Sequence, residues 1–372
     1  MKTMADVQYR LYFDNAPVEQ ARIDQFTEIR IDQAIGLVAE AELDLPVSTD
    51  DSGVWSGQDD DFSAPFHRIR IEVQIGDGDF VPLIDGPVVA QRFALKAEPD
   101  DSQVTLVVHD DSVLLNRDEK VVVFEDRGAS DIARTLIEEP GLDSEVDDTP
   151  ADGGALTRYV VQRGTNMQLL RQLARRNGMW AYVKPGPRPG KSIGVFARPS
   201  FDPSGLPEIL LLGPDRNIDV FTVEFDALRP LKAQAGSVTI ADTSELTSDA
   251  ESASLAPLGD EALHGVLNPT GTAMLARTRE EQADIDAATQ AAVDLSAFAY
   301  SAEGELNNDL YEGIIQPYQV VSVAGIGGRL SGNYVVSRVS HKLTDASYQQ
   351  NFALIRNARS GSGGGGIPGG II

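Results

Sequence analysis

Period-two alternation of apolar and polar residues, cut by short turn motifs, runs through most of this 372-residue chain and sets what it can become. Val7-Gln8-Tyr9-Arg10-Leu11-Tyr12-Phe13 and Phe26-Thr27-Glu28-Ile29-Arg30-Ile31 flank the turn residues Asp14-Asn15-Ala16-Pro17, and residues 37–47 repeat the pattern. Successive side chains of an extended chain point to opposite faces, so these stretches read as strands with one face buried. A polar loop at 48–64 carries the acidic run Asp59-Asp60-Asp61, and alternation resumes at 68–75. Gly76-Asp77-Gly78-Asp79 supplies the backbone freedom of a hairpin, with strands predicted at 80–84 and 86–95. About six strands before residue 98 suffice for a small barrel.

The texture changes after Pro99. Residues 102–109 read as a strand and 110–116 as a turn or short helix. A helix is predicted near 130–138, opened by Ser130, and a second at 165–177, capped by Thr165, with Met167, Leu170, Leu173 and Ala174 on one face and Gly178 as its stop. Met179-Trp180-Ala181-Tyr182-Val183-Lys184 reads as a strand. Further strands are expected at 193–197, 209–212, 220–225 and 232–241, then a polar, alanine-rich interval with one long helix at 272–302, then strands at 319–323, 332–343 and 348–356. The chain finishes in Ser360-Gly361-Ser362 and GGGGIPGGII, a linker or docking tail with too little apolar surface for a core. A single core stops growing at roughly 250–300 residues, so two or three packing units are expected.

Composition excludes several roles. The formal net charge is −26, and a field of that sign opposes nucleic-acid binders, which neutralise phosphates with clustered Lys and Arg. Asp-rich, Lys-poor usage fits either a salt-rich habitat or a GC-rich genome. With no cysteine there is neither disulfide nor thiolate chemistry. No apolar run reaches the ~18–20 residues of a membrane span, and Met1–Arg10 has no signal-peptide core, so synthesis in the cytoplasm is expected.

Reactive constellations are missing from the sequence. His67, His109, His264 and His341 stand far apart, with no H-E-x-x-H spacing. There is no G-x-S-x-G elbow and no Walker A sequence, and Gly325-Ile326-Gly327-Gly328 reads as a hairpin turn. The loop aspartates Asp59–Asp61, Asp77 and Asp79 do not follow calcium-loop spacing. Glu138-Glu139 and Glu280-Glu281 fall on predicted helices as solvated faces, not as an acid/base couple. No catalytic, cofactor-binding or metal residue is therefore assigned. A carboxylate-based hydrolase of the cell envelope and a carbohydrate-binding β protein are the readings of other classes; the second asks for aromatic platforms, yet Trp55 and Trp180 are the only tryptophans.

Three segments together resemble phage late-control D proteins and the N-terminal part of VgrG proteins. TNMQLLRQLARRNGMWAYV (165–183) is similar to their helix of type F-L-x-x-L-A-x-x-x-G leading into an aromatic strand. FTVEFDALRP (221–230) resembles the strand that opens their second barrel. Residues 302–358 resemble their closing strands, where G-x-Y-x-V-x-x-V-x-H precedes Y-x-x-x-F-x-L-x-R-N; here these are Gly332, Tyr334, Val336, Val339 and His341, then Tyr348, Phe352, Leu354, Arg356 and Asn357.

The resemblance implies a mainly β chain with α+β insertions, in which two similar tube-like β-barrel domains flank an α+β domain and three copies close a pseudo-six-fold ring. The expected domains are 1–98 (first barrel), 99–216 with 243–310 (α+β), 217–242 with 311–358 (second barrel) and 359–372 (tail). It further implies a baseplate hub, without enzymatic activity or cofactor, that adapts a six-fold tail tube to a three-fold spike in a phage tail, or alternatively in an extracellular or type VI-like contractile injection system. Implied partners are the tube or its initiator above, a spike on a separate polypeptide below, wedge or sheath-adaptor proteins around, and DNA or cargo in transit, in an assembled virion or injection particle. Leu170, Leu173, Trp180 and Tyr182 are expected to hold the helix-to-strand unit, and Tyr334, Val336, Phe352 and Leu354 to form barrel core. His341 is expected as a structural residue at a strand end, and Ile367 and Ile371 as docking residues of the tail.

Overall fold

The computed structural model describes residues 7–49, 53, 55, 64–98, 101–149, 159–238, 242–267, 271–275, 281–307, 309–344 and 347–361. The chain opens with β1 (Val7–Phe13), β2 (Ala16–Pro17), the single turn α1 (Gln20–Ile23), β3 (Glu28–Ala34), β4 (Glu40–Val47), β5 (Arg68–Ile75), β6 (Val81–Ala94) and β7 (Ser102–His109). A mixed region follows, with α2 (Ser112–Asn116), β8 (Lys120–Glu125), α3 (Ala129–Glu138), β9 (Asp143–Val146), β10 (Tyr159–Gly164), α4 (Asn166–Asn177), β11 (Trp180–Pro185) and β12 (Ser192–Ala197). The rest comprises β13 (Ile209–Leu210), β14 (Ile218–Phe225), β15 (Lys232–Val238), β16 (Glu245–Ala250), β17 (Glu261–Ala262), α5 (Leu263–Leu267), β18 (Thr272–Met274), α6 (Gln282–Ser296), β19 (Tyr300–Leu306), β20 (Val320–Ala324), β21 (Gly332–Thr344), β22 (Ser347–Arg356) and β23 (Ala358–Arg359).

One 13-stranded sheet unites both ends of the chain in the order β14-β19-β22-β21-β3-β4-β7-β6-β5-β1-β2, with β20 and β13 branching from β21. It contains two strand sets, each around its own core. Alternation places Ile29, Ile31, Leu43, Ile71 and Leu106 inside the first, and Tyr334, Val336, Val339, Phe352 and Leu354 inside the second. The second set comes near to closing on itself, because the Asn217 N–H donates to the Leu210 carbonyl and links β13 to the start of β14.

The sets meet where β21 pairs with β3, Ile31 opposite His341 and Ile29 opposite Leu343. A register shift between Val336 and Arg338 bends β21, so that its first half pairs with β20 and its second half with β3. One strand thereby serves both cores: Val336 and Val339 face the second, and Leu343 faces the first.

His341 lies in the middle of β21, not at a strand end, and is fully buried. Gln33 Oε1, which can only accept, is 3.3 Å from Nε2; that nitrogen therefore donates, and Nδ1 accepts from the Tyr348 hydroxyl at 2.7 Å. Gln33 Nε2 continues the chain to the Leu83 carbonyl on β6. Arg356, also fully buried, sends its guanidinium to the carbonyls of Leu258, Leu330 and Ser331 and to Ser360 Oγ, over the Tyr334 ring. Asn357 beside it bonds Leu258 N–H and the Ala256 carbonyl. The R-N pair thus pins the 256–260 segment and the chain's exit after β23.

Between the sets, α3 and α4 pack on β11 and β12 through Ile132, Leu136, Leu170, Leu173 and Phe196. A capping box made by Thr165 and Gln168 starts α4, and Gly178, at φ +64°, ends it in the left-handed conformation a side chain disfavours. α6 packs on β15 and β16 through Val293, Ala233 and Ala250.

The structure corrects several expected boundaries. The helix expected at 272–302 spans only Gln282–Ser296: Thr272–Met274 is a strand beside β15, and Tyr300–Leu306 is β19, whose period-two burial is set by pairing on both sides with β14 and β22. Alanine-rich composition favours helix, and strand pairing overrides it here. β7, beyond the expected boundary at 98, lies between β4 and β6, and β19, assigned to the α+β region, lies in the second set. The strands expected at 80–84 and 86–95 are one continuous β6, bent by register shifts; Gly86 lies against His109 so closely that a Cβ would sit 1.8 Å from its carbonyl oxygen.

Burial pushes the His341 imidazole down from its ordinary value near 6.5 to about 3. Between these values the unfolded chain binds a proton that the fold refuses, so stability rises with pH across this window and is lost as pH falls. His341→Gln should remove about 1–3 kcal/mol of that change in stability between pH 4 and 7, measured by urea denaturation. Arg356→Met removes the guanidinium's bonds to three carbonyls, two of which keep a hydroxyl donor from Tyr334 or Ser360, and should cost about 2–4 kcal/mol in the same assay at pH 7, with Arg356→Lys recovering less than half.

Candidate functional site

The sequence R-I-R-I-E of β5 alternates charge with isoleucine, and the structure buries both faces. Ile69, Ile71 and Val73 enter the first core, while Arg70 and Glu72 point into a second interior lined with ions. Arg68 grips Asp111 with both terminal nitrogens, at 2.8 and 2.7 Å, and reaches Asp85 at 2.7 Å. Arg70 bonds Glu72 at 2.7 Å and Asp85 at 3.2 Å, and Arg10 bonds Glu72 at 2.5 Å. Three guanidinium groups balance three carboxylates. Burial opposes the charge on Arg68, but Asp111 and Asp85 outweigh it and hold the group firmly protonated. The cluster reaches across to the loop after β11: Arg70 donates to the Gly186 carbonyl at 2.8 Å, and the Gly190 N–H donates to Asp85 at 2.9 Å. It is a clasp between the first strand set and the α+β region, with no nucleophile in it.

Beside the clasp, three parts of the chain converge on Tyr318. Its backbone has φ +72°, a conformation costly for a bulky residue, and its N–H donates to the Val336 carbonyl of the second set. The Tyr318 hydroxyl accepts the Gly36 N–H from the β3–β4 turn at 2.9 Å. Its ring stacks on Tyr182 of β11, centroids 3.7 Å apart, and takes the edge of Trp180 at 5.1 Å. These contacts border an open cavity of about 300 Å³ lined by Ala34, Leu83, Asp110, Tyr182, Gln316 and Tyr318 among others. Asp110 is 3% exposed; it accepts the N–H of Ala39 at 2.6 Å and of Ser112 at 2.8 Å. Burial pushes its carboxyl up to about 6. A second, more apolar cavity of about 370 Å³ lies among α4, α6, β15 and β18, with Arg175 and Arg176 in its wall.

The residues singled out from sequence fall in separate places. Leu170 and Leu173 lie in the core under α4, whereas Trp180 and Tyr182 leave that core for the Tyr318 junction, because alternate residues of β11 face opposite ways. Tyr334, Val336, Phe352 and Leu354 share the second core, and His341 sits at the seam between the sets. Ile367 and Ile371 lie outside the described residues, as do Asp59–Asp61. Sequence reasoning passed over Tyr318, Asp110 and the Arg68–Arg70 clasp. Only the clasp carried a signal, charges alternating with isoleucine in a strand with apolar neighbours.

Surface features complete the picture. On the two-stranded ribbon β8–β10, Val121, Val123, Tyr159 and Val161 are all exposed, Val121 at 79%. β14 is an edge of the large sheet with Val220 and Phe225 exposed, and β1 is paired along only Tyr12 and Phe13 on its outer side. Among the described residues, no group of three or more His, Asp or Glu side chains is placed to hold a metal ion, and no helix is long and apolar enough to cross a membrane.

Solved structures share this fold along nearly the whole chain. The 43 kDa tail protein of prophage MuSo2 from Shewanella oneidensis superposes with a TM-score of 0.60 at 15% identity, over 95% of this chain and 99% of that one. A tail protein from Neisseria meningitidis gives 0.62 at 11% identity, over 94% and 96%. The E. coli c3393 protein, a component of the type VI secretion system, gives 0.53 at 8% identity, over 96% and 80%. At these identities the likeness is one of fold. No curated protein matches the sequence. Residues 7–345 match the family described as the Alg8 N-terminal domain, and the chain belongs to that family.

Proposed function

We propose that this protein is the central baseplate hub of a contractile tail, of the late-control D and VgrG type. The observation that carries the reading is the pair of strand sets, each with its own core, joined edge to edge by β3 and β21 in one chain. Read as two tube-like barrels, they give each chain two near-equivalent surfaces, so three chains offer six docking sites to a six-fold tube and three to a spike. In this reading the first barrel ends with β7, the second is made of β13, β14 and β19–β22, and the α+β region lies between them. Tail proteins and a type VI component with this fold support the assignment.

The edges of β1 and β14 and the apolar β8–β10 ribbon suit an assembled ring better than a lone chain, since exposed strand edges and apolar rows favour association. The hub performs no chemistry of its own. Tube or tube-initiator protein binds above, a separate spike below, wedge or sheath-adaptor proteins around, and DNA or cargo passes through. Three copies, each at a formal −26, repel unless charge faces solvent or the channel or pairs with basic residues of neighbours, and the proposal places part of it along the channel. The hub is made in the cytoplasm and ends in the virion or particle. The family description names no reaction. The type VI likeness supports a second reading, the hub of an injection system without a capsid, which neighbouring capsid or effector genes decide.

Analytical ultracentrifugation and an axial view by electron microscopy test the hub: a particle of three 40.0 kDa chains with a six-lobed outline and an acidic channel is expected. A monomer at tens of micromolar, or a basic or apolar channel, overturns it. Because β23 and Arg356 anchor the chain before residue 361, deleting residues 362–372 should leave the trimer intact. The same deletion should lower spike retention at least tenfold in pull-down if Ile367 and Ile371 dock there.

A further inference from the structure

We propose that the cavity at the Tyr318 junction is a receptor for one basic side chain, lysine or arginine, of a partner protein. Four carboxylates are buried on this side of the fold: Glu72, Asp85, Asp110 and Asp111. Three of them touch guanidinium groups. Among the described residues Asp110 meets neutral donors, the N–H groups of Ala39 and Ser112 at 2.6 and 2.8 Å and the Ser112 hydroxyl, although it is 3% exposed. A buried carboxylate without a counter-ion is costly, and this one lines an open cavity instead of packed protein.

The remaining walls suit an organic cation. Ala34, Leu83, Val183 and Pro317 line the cavity with apolar surface for an aliphatic stem. The stacked rings of Tyr182 and Tyr318 offer π-faces, to which ammonium and guanidinium groups are attracted. Of the cations nearby, Lys184 pairs with Glu145 at 2.7 Å and Arg68 with Asp85 and Asp111, while Arg171 of α4 lies within electrostatic reach of Tyr318 but does not line the cavity. A bare metal ion needs several oxygen ligands, and here two backbone donors already sit on the one carboxylate. The occupant is a side chain of a protein because Leu37, 65% exposed, lines the same cavity and offers an apolar contact beside the charge. The chain's field of −26 attracts basic partners to it. This inference stands independently of the hub reading.

Trp180 touches Tyr318 by its edge, so its emission reports on the cavity. In a Trp55→Phe background, the full chain is titrated with Nα-acetyl-lysine methylamide and with Nα-acetyl-norleucine methylamide, which has the stem without the charge. A saturable change is expected for the lysine compound alone, at least tenfold weaker in Asp110→Asn. Ala34→Met fills the cavity without altering Asp110 and should abolish the change; it also carries the test if Asp110→Asn fails to fold. Equal response to the norleucine compound, or unchanged binding by either variant, overturns the proposal. Putrescine binding as tightly as the lysine compound assigns the cavity to free amines and overturns the protein partner.

Discussion

The fold depends on one strand pairing, β21 with β3, between segments some 300 residues apart in sequence. Without it the chain is two separate strand sets. Pairing so distant costs chain entropy before any contact forms, and the seam offsets it with buried groups of high specificity. His341, Gln33 and Tyr348 form a hydrogen-bonded thread in which each partner's donor or acceptor role is fixed, and Gln33 extends it to β6. A shift of one residue would turn His341 to the half-exposed face of Ser340 and Lys342 and bring those polar side chains inward, so the thread sets register as well as strength.

The α+β region is held to this frame by different physics. Its own core is apolar, but it meets the first strand set through the Arg68, Arg70, Asp85 and Asp111 cluster and the stacked rings of Tyr182 and Tyr318. Ion networks and stacked rings are directional, whereas apolar surfaces tolerate sliding. A clasp of this kind fixes the angle between two parts, a useful property in a protein whose proposed work is to match two symmetries. Asp110 is the exception within it, the one carboxylate at the junction that the chain itself does not neutralise.

Much of this was legible in advance. Thr165 and Gly178 marked the ends of α4 because capping is a local matter of a few residues. Strands β1, β3 and β21 were legible because half-burial imposes period two. The helix expected at 272–302 failed where local information ends: alanine favours helix, and the pairing of β19 with β14 and β22 overrode that preference. β7 likewise pairs with β4 and β6 across the change in texture after Pro99, which says nothing of the strands it will join. Trp180 and Tyr182 were expected beside Leu170 and Leu173, yet strand alternation sends them to a partner, Tyr318, that no sequence pattern marks.

By itself, then, the sequence determined a mainly β chain, the ends of α4, the burial rhythm of its strands and the absence of thiol chemistry, because each depends on neighbours a few residues away or on composition alone. The tertiary structure alone decided that the two strand sets form one sheet, that Arg68, Arg70, Asp85 and Asp111 neutralise one another, and that Asp110 opens onto a cavity beside Tyr318. Those facts depend on contacts between residues from about 15 to 300 positions apart, and the free energy of a buried charge is set by whatever the fold places next to it.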